Sequence, residues 1–406
     1  MKILWISYFG SWTLPLLDRI KQGNTVGIIV PGYHTHTSNY QRDGITFYEV
    51  AFKKGICHKT MTPAVFNQYY KQIIEQFQPD LIHVHGTEKN LAQIQQFIPN
   101  IPVVISIQGL LTGYKNYAYN YLTPSGLGRF TTLKNLLGRG GIRMMYKVFC
   151  NGYSYETDIL NNGKYFIGRT DWDKSHVLLH NPRAQYFHGE ELWREEFYRQ
   201  SASWNTQHCV RHSIFMTASI NPIKGMHLAI QVIHLLKQHY PDIQLSVPGI
   251  GNIKRLSNRL WGEEYAVYCL HLIHKYNLEG NINLLPRLNE KEMVKELQKA
   301  NVFLSPTSID NSPNAVGEAS MIGTPIVVTP VGGIPSIFQD EREVLFAPAG
   351  DPYMMAYQIK RLFENDELAI SLSKNAYQKA IKRHDRESTA LQYLQIYQKV
   401  IKQHYK

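Results

Sequence analysis

The chain has 406 residues, of which 44% are hydrophobic, and this length predicts two globular domains. Its formal net charge is +11, and its four cysteines lie far apart without a Cys-x-x-Cys pair, which suits reduced thiols and argues against a zinc site. The apolar run near Met1 is too short for a signal peptide, and no run approaches the ~18 apolar residues of a membrane span. We therefore expect a cytoplasmic protein, either free or peripheral on the inner face of the cell membrane.

Strands and helices are predicted to alternate along the first half of the chain. The apolar residues Ile3–Ser7 predict a first strand, and the turn after it contains Gly10, which would let the backbone approach a phosphate closely. Further strands are predicted at residues 79–86, 102–109 and 164–170. The last of them ends at Arg169, in a position to meet a phosphate or an acidic group. This alternation predicts an α/β fold with parallel sheets.

A basic, tyrosine-rich segment interrupts the alternation at residues 110–162. No acidic residue lies between Glu88 and Glu156, whereas the same interval carries seven Lys and Arg residues. Such a composition suits an anionic membrane face, a phosphorylated lipid carrier or nucleic acid, and a solvated basic surface is the alternative. No helix-turn-helix, zinc-finger or RNP sequence supports nucleic acid. The membrane candidates are Arg139, Arg143 and Lys147.

The polar stretch from Gly189 to His208 predicts a linker, after which a second α/β domain begins. Its first strand is predicted at Ser213–Thr217. Lys224 follows shortly afterwards, at the start of a helix predicted from Met226 to His239. A lysine is slightly unfavourable at a helix N-terminus, so its position favours a role in phosphate binding.

A strand–loop–helix–strand unit is predicted between Asn301 and Thr329. Open α/β sheets bind ligands at the carboxyl ends of their strands, so the loop after the first strand is a candidate site. Two carboxylates flank that loop, Asp310 and Glu318, and carboxylates accept hydrogen bonds from sugar hydroxyls. The helix N-terminus near Asn314 and Ala315 favours a phosphate instead. Together they describe a receptor for a sugar nucleotide, and a capped surface helix with a solvated Glu318 is the alternative.

This stretch resembles the signature of the retaining GT-B glycosyltransferases of the glycosyl transferases group 1 family, glycosyltransferase family 4. That signature has Ser-Pro, a loop, two Glu with seven residues between them, and Gly-x-Pro-Val-Val. The chain has Ser305-Pro306, Asp310 in place of the first Glu, Glu318 and Gly323-Thr-Pro-Ile-Val, and its Gly332-Gly-Ile-Pro335 also fits. The resemblance implies an α/β fold of the GT-B type, with two Rossmann-like parallel-sheet domains facing across a cleft. Residues 169–198 resemble bacterial surface-polysaccharide transferases more narrowly.

The resemblance implies how the donor is bound. Glu318 would hold the nucleotide ribose, Asp310 would meet the hydroxyls of the donor sugar, and Lys224 would clamp the diphosphate. The family places an arginine at the position of Ser219, so half of that clamp is missing, and Lys254, Arg255 or Arg259 could replace it. The donor-binding candidates are Gly10, Ser219, Lys224, Arg287, Leu288, Asp310, Asn314, Ala315, Val316 and Glu318.

The resemblance also implies an acceptor site in the first domain and a set of catalytic residues. The strand that ends at Gln108 commonly ends in a histidine in the family, and that histidine contacts the donor sugar. An amide can bind a hydroxyl but cannot carry a proton. The catalytic candidates are Lys224, Asp310 and Gln108, and the acceptor candidates are His85, Tyr114 and Arg169.

We expect neither a metal nor another cofactor. Asp171-Trp172-Asp173 has the spacing of the Asp-x-Asp metal motif of GT-A transferases, but it leads into a predicted helix, where Asp173 would serve as a cap. His34 and His36 have a spacing that suits a metal, although an exposed loop is the expectation there.

The expected activity is retaining, metal-independent transfer of a sugar from a nucleotide-diphosphate sugar to a glycan or lipid-linked acceptor in bacterial surface-polysaccharide synthesis. An anionic membrane surface is a further expected partner, and no nucleic acid is expected. The predicted parts are an acceptor-binding domain at 1–190, a linker at 191–210, a donor-binding domain at 211–386, and a last helix, 387–406, that returns to the first domain. The alternatives are a non-catalytic nucleotide-sugar-binding relative, a nucleic-acid-binding protein, and a GT-B epimerase or phosphorylase.

Overall fold

The computed structural model describes residues 1–8, 13–32, 36–53, 55–217, 221–251 and 253–406. These residues form two compact units, each built around its own sheet. The first unit contains Met1–Tyr114, Val148–Arg194 and His384–Lys406. The second contains Lys115–Lys147 and Glu195–Arg383.

The first unit has an eight-stranded sheet that is parallel except at one edge. Its strands are β1 (Lys2–Ile6), β2 (Thr25–Gly32), β3 (Ser38–Arg42), β4 (Ile45–Ala51), β5 (Leu81–His85), β6 (Val103–Ser106), β7 (Tyr165–Gly168) and β8 (Gln185–His188). They lie in the order β3-β4-β2-β1-β5-β6-β7-β8, and only β3 pairs antiparallel. The central strands β1, β5 and β6 are almost wholly buried, which explains their continuous apolar sequences.

Helices flank this sheet, and the last helix of the chain is among them. The helical segments of the first unit are Leu14–Ile20, Ile56–His58, Pro63–Phe66, Asn67–Lys71, Gln72–Phe77, Asn90–Phe97, Leu111–Tyr114, Asp171–His180 and Arg386–His404. From the last helix, the hydroxyl of Tyr397 lies 2.6 Å from Nδ1 of His83, whose Nε2 lies 2.7 Å from Ser106 Oγ. His83 is therefore a fully buried structural residue, held between the sheet and the C-terminal helix.

The second unit has a six-stranded, fully parallel sheet. Its strands are β9 (Ser213–Phe215), β10 (Gln244–Val247), β11 (Ile282–Leu284), β12 (Val302–Ser305), β13 (Ile326–Val328) and β14 (Leu345–Phe346). Their order, β11-β10-β9-β12-β13-β14, reverses direction between β9 and β12. That reversal is the topological switch point of a Rossmann-like sheet, and loops at the carboxyl ends of these two strands form its ligand crevice.

Helices also cover the sheet of the second unit. They are Lys115–Tyr117, Pro124–Gly128, Leu133–Leu136, Glu195–Arg199, Pro222–Lys224, Met226–Leu236, Ile253–Leu256, Glu264–Lys275, Glu290–Lys299, Asn314–Ile322, Ile334–Ile337, Pro352–Glu364 and Asp366–Arg383. The helix Gly141–Asn162 begins in the second unit and ends in the first. No helix in the described ranges is long and apolar enough to cross a membrane.

Residues 115–147 belong to the second unit, although chain order alone assigns them to a first domain that ends at 190. Backbone hydrogen bonds join this segment to the loop before the helix Glu264–Lys275: Leu133 N donates to Arg259 O at 3.1 Å and Lys134 N donates to Leu260 O at 2.8 Å. Lys134 also forms an ion pair with Glu263. Much of the basic, tyrosine-rich segment is therefore part of the second unit.

The predicted linker at 191–210 is structured and divides between the two units at Arg194 and Glu195. The buried indole of Trp204 donates from Nε1 to Ala300 O at 2.7 Å, and its backbone N donates to Ile322 O at 3.0 Å. Burial of this large apolar side chain ties the segment to the second unit, which composition alone does not show.

Candidate functional site

The turn that follows β9 presents Lys224 at the switch point. The side chain of Asn221 accepts a hydrogen bond from Ile223 N at 3.0 Å and begins the short helix Pro222–Lys224. Gly225 ends it with φ +74°, and a Cβ at this position would lie 2.1 Å from Pro306 O. Only glycine can let the turn pack this closely against the loop after β12.

The loop after β12 presents Asp310 at the same place. Thr307 Oγ1 and Ser308 N both donate to Ile223 O, at 3.0 and 2.9 Å, so this loop and the Lys224 turn are joined directly. Gly333 N donates to Asp310 O at 3.0 Å, and Gly332, with φ +55°, packs so closely that a Cβ would lie 2.0 Å from the same oxygen. The Gly332-Gly333 pair therefore fixes the backbone that carries Asp310.

Lys224 and Asp310 form an ion pair at the centre of this site. Lys224 Nζ lies 2.7 Å from Asp310 Oδ2, and the two side chains are 41% and 12% exposed. The resemblance assigns these residues to the diphosphate and to the sugar hydroxyls, and the structure brings their charged groups into direct contact. The contact places one cation and one anion side by side at the switch point of the sheet.

The helix Asn314–Ile322 begins just after Asp310. Its N-cap residue is Pro313, which offers no side-chain cap, and its carbonyl accepts from Val316 N at 3.1 Å and from Gly317 N at 3.2 Å. The N–H groups of the first two residues, Asn314 and Ala315, lie ahead of the intrahelical pattern, as at any helix N-terminus, and favour an anion. Glu318, one turn further on, is 8% exposed, as is Asp310.

The loop expected to hold a nucleotide base is also at this edge of the sheet. Arg287 is exposed and Leu288 is half-buried. Pro286 O accepts from Gly249 N at 3.1 Å, and Gly251 packs against the backbone of Leu285. The glycine turn after β10 and the loop after β11 are therefore adjacent.

The acceptor candidates lie at the carboxyl ends of the strands of the first unit. His85 is 9% exposed, and burial, followed by the charge of Arg169, lowers its pKa to about 3. Arg169 is itself buried and pairs with Glu191 at 2.8 Å. Its Nη2 also donates to Gln108 Oε1 at 3.3 Å, so the structure makes Arg169 a neighbour of the candidate amide. Tyr114 is half-buried, and its hydroxyl lies against Gly109.

No sequence signal marks two glutamates of this unit, the half-buried Glu88 and the buried Glu156, although they are the acids at the two ends of the acid-free interval. Glu88 Oε1 accepts from Gly109 N at 2.7 Å, and burial raises its pKa. Glu156 accepts from Thr87 Oγ1 at 2.8 Å and from Thr112 N at 2.6 Å. Burial, partly offset by these hydrogen bonds, raises the pKa of Glu156 to about 7. Both carboxyl groups hold the backbone that follows Gln108.

The remaining candidates divide into three groups. Gly10, Ser219 and His34 lie outside the described residues. Asp173 forms a capping box with Thr170, which confirms the predicted cap, and within the described ranges no group of three His, Cys, Asp or Glu residues could hold a metal. The membrane candidates Arg139, Arg143 and Lys147 are all exposed, on the second unit.

Lys254, Arg255 and Arg259 are the candidates to replace the missing clamp arginine. The guanidinium of Arg259 donates to Arg129 O at 2.8 Å, and Arg255 is exposed. A different cation contacts the loop that carries Asp310, since Arg383 Nη2 donates to Ser312 Oγ at 3.4 Å. Arg383 ends a helix some 70 residues later in sequence, so no local pattern marks it.

Comparison with known proteins agrees with this geometry. Residues 210–379, which contain Lys224, Asp310 and Glu318, match the model of the family Glycosyl transferases group 1. A D-inositol 3-phosphate glycosyltransferase from Corynebacterium urealyticum is 26% identical over 175 residues, which is 43% of this chain and 40% of that protein. The chain thus spans about two fifths of the length of the curated relatives it first matches.

Solved structures are similar over nearly the whole chain. Sucrose-phosphate synthase from Thermosynechococcus elongatus has a TM-score of 0.71 at 15% identity and covers 99% of both chains. HepE from Anabaena, solved in complex with UDP and glucose, has a TM-score of 0.64 at 13% identity and covers 97% of this chain and 98% of its own. The predicted fold class is confirmed: the protein is an α/β protein with two Rossmann-like parallel-sheet domains, as in GT-B glycosyltransferases.

Proposed function

We propose that this protein is a retaining glycosyltransferase that moves a sugar from a nucleotide-diphosphate sugar to a glycan or lipid-linked acceptor in the synthesis of a bacterial surface polysaccharide. The observation that carries the proposal is the contact of Lys224 with Asp310 at the switch point of the second sheet. The match of residues 210–379 to a glycosyltransferase family supports the same reading.

The donor would bind with its diphosphate between Lys224 and the N-terminus of the helix Asn314–Ile322, which both favour an anion. When the donor binds, its phosphate oxygens would replace Asp310 as the ion-pair partner of Lys224. The carboxylate of Asp310 would then accept hydrogen bonds from the sugar, and Glu318 would accept them from the ribose. The base would lie against the main chain at Arg287 and Leu288. HepE was solved with UDP, which makes UDP-sugars the first donors to test.

The chemistry needs a stabilised leaving group more than it needs a nucleophilic side chain. The acceptor hydroxyl oxygen would bond to the anomeric carbon on the face that the diphosphate leaves, as the bond from that carbon to the phosphate oxygen breaks. The hydroxyl proton would pass to the departing phosphate oxygen. Lys224 would offset the negative charge that develops on the diphosphate, which is the largest contribution a protein can make to such a step.

The acceptor would bind at the strand ends of the first unit. There Gln108 and Tyr114 can bind a hydroxyl, and His85, neutral because of its low pKa, can accept or donate one hydrogen bond. Arg169 is paired with Glu191 and reaches Gln108, so it would orient the amide as well as face an acidic acceptor.

A membrane surface is the second proposed partner. Arg139, Arg143 and Lys147 are exposed. Two apolar side chains of the same unit, Leu136 and Trp261, are 73% and 59% exposed. Basic residues beside exposed apolar and aromatic side chains favour an anionic bilayer, where a lipid-linked acceptor would reside. Peripheral binding would occur through the second unit.

The experiment is a transfer and hydrolysis assay with UDP-, GDP- and ADP-sugars, in which wild type is compared with Lys224→Ala. We expect turnover of one donor class by wild type and its loss in the variant. Binding of a donor without transfer or hydrolysis would instead favour the non-catalytic relative, which the Gln108, Ser219 and Asp310 departures make the second candidate.

A further inference from the structure

One stretch of the first half of the chain reaches the donor site of the second unit. We call it the docked segment, residues 115–147, and its first residues adjoin the two loops that carry Lys224 and Asp310. Asn120 Nδ2 donates to Pro222 O at 2.7 Å. Ser308 Oγ donates to Tyr117 O at 3.0 Å. The docked segment therefore holds both loops from outside the part of the chain that matches the transferase family.

Asn120 is buried where it meets the Lys224 turn. It is 1% exposed, and its φ of +45° is a left-handed conformation that asparagine tolerates better than most residues. Burial lowers the pKa of the neighbouring His227 to about 4, an effect that a hydrogen bond with the Asn120 backbone partly offsets. Nδ1 of His227 lies 2.9 Å from the Tyr265 hydroxyl.

The Lys224 turn is held by contacts on two sides. On one side, Ile223 O accepts from the loop after β12, against which Gly225 also packs. On the other side, Pro222 O accepts from the Asn120 amide as well as from Gly225 N within the turn. Removal of the amide therefore takes away a support of Pro222 O that comes from outside the turn.

We infer that Asn120 is a positioning residue for donor binding, which holds the turn Pro222–Lys224 so that Lys224 lies beside Asp310 when the diphosphate arrives. The inference rests on the proposed function. It assigns part of the donor affinity to a residue of the docked segment, outside the donor-binding domain defined by sequence. Asn120 itself would not touch the donor.

The test compares the affinity for UDP and GDP of Asn120→Gly and of a matched control, Asn277→Gly. Glycine removes the side chain without strain at a positive φ, and Asn277 has a φ of +52° but lies between the helix Glu264–Lys275 and β11. Loss of one buried hydrogen bond predicts a rise in Kd of about three- to tenfold for Asn120→Gly and no change for the control. Equal Kd values in the two variants would overturn the inference.

A milder variant guards against misfolding. Ser308→Ala removes only the hydroxyl that bonds Tyr117 O, and we expect it to raise the Kd for the same nucleotide by a few-fold. In turnover assays the donor KM should rise in both variants while the acceptor KM stays unchanged, a split that general destabilisation would not produce. An unchanged donor KM in both would contradict the inference.

Lys224→Ala distinguishes failure of the positioning role from failure of the proposed function. If it weakens nucleotide binding while Asn120→Gly and Ser308→Ala do not, the positioning role fails and the proposed function stands. If wild type binds none of UDP, GDP and ADP, the proposed function fails and the positioning role fails with it.

Discussion

Lys224 Nζ lies 2.7 Å from Asp310 Oδ2, across two loops that follow the neighbouring strands β9 and β12. The two residues are 86 positions apart in sequence. The parallel sheet brings them together because both loops leave the same edge at the point where strand order reverses. Gly225 lets the Lys224 turn approach the backbone of the loop after β12 more closely than any residue with a Cβ would allow, and Gly332, after β13, does the same against Asp310 O.

Removing the proposed phosphate-binding cation or the proposed ribose-binding acid should abolish most activity. We expect Lys224→Ala and Glu318→Ala each to lower kcat/KM by two to three orders of magnitude, about 3–4 kcal/mol in transition-state stabilisation. Lys295→Ala, an exposed lysine on the helix Glu290–Lys299, is the matched control and should be neutral. Steady-state rates with the best donor of the panel measure all three, and wild-type rates in both site variants would refute the assignment.

Asp310→Ala should affect binding of the nucleotide and transfer of the sugar differently. Because Asp310 is the partner of Lys224, its removal frees the cation for phosphate, so affinity for the nucleoside diphosphate alone should stay equal or increase. Transfer of the sugar should still fall, by about tenfold or more, since the hydroxyl contacts of the donor are lost. Calorimetry measures the affinity for the nucleoside diphosphate, and steady-state assays with the corresponding nucleotide sugar measure the rate of transfer. Loss of nucleotide affinity would show that Asp310 supports Lys224 and does not compete for it.

The pH dependence of stability should reveal Glu156. Its pKa is raised by burial from 4.5 to about 7, so the folded chain binds a proton that the unfolded chain releases between these pH values. The stability it contributes is complete below pH 4.5 and is lost as the pH rises through about 7, by about 3 kcal/mol in all.

Glu156→Gln isolates this effect from the other titrating groups. His85 and His227 have lowered pKa values, so their contributions act in the opposite direction and are lost as the pH falls below 6.5. The difference between wild type and Glu156→Gln cancels them. Denaturant unfolding at pH 5 and pH 7.5 should show the variant gaining stability relative to wild type at the higher pH. Parallel profiles for the two proteins would mean that Glu156 is ionised throughout.

Membrane binding should depend on the basic face of the docked segment. We expect replacement of Arg139, Arg143 and Lys147 by glutamine to weaken co-sedimentation with anionic liposomes at low salt, because about 1 kcal/mol is associated with each basic residue near such a surface. The control replaces three exposed lysines elsewhere on the second unit, namely Lys291, Lys295 and Lys374. Equal co-sedimentation of both triple variants would rule out this surface.

The shared position of Lys224, Asp310 and Glu318 at one edge of the sheet could be predicted from sequence, because these residues lie within short strand–loop–helix patterns. Each of Lys224, Asp310 and Glu318 follows a recognisable strand, and parallel strands bring their carboxyl ends to one edge. The pairing of Lys224 with Asp310 did not follow from the pattern, because the resemblance gives each residue a partner on the ligand and says nothing of their mutual contact.

The positions of Glu88 and Glu156 and of the docked segment depend on tertiary structure that no local pattern encodes. Glu88 and Glu156 are separated by 68 positions, and only the fold brings both carboxylates to the backbone N–H groups after Gln108. Asn120 lies in the first half of the chain but donates to Pro222 O across 102 positions. The positions of these residues are set by hydrogen-bond partners that lie in distant parts of the chain.

The most direct test of the central claim, that Lys224 and Asp310 form a pocket for an activated sugar, is calorimetric titration of wild type and Lys224→Ala with UDP-, GDP- and ADP-glucose. The account predicts saturable binding of one nucleotide class by wild type, weakened about a hundredfold or more in the variant. Indistinguishable binding by the two proteins, or no binding of any donor by wild type, would contradict it.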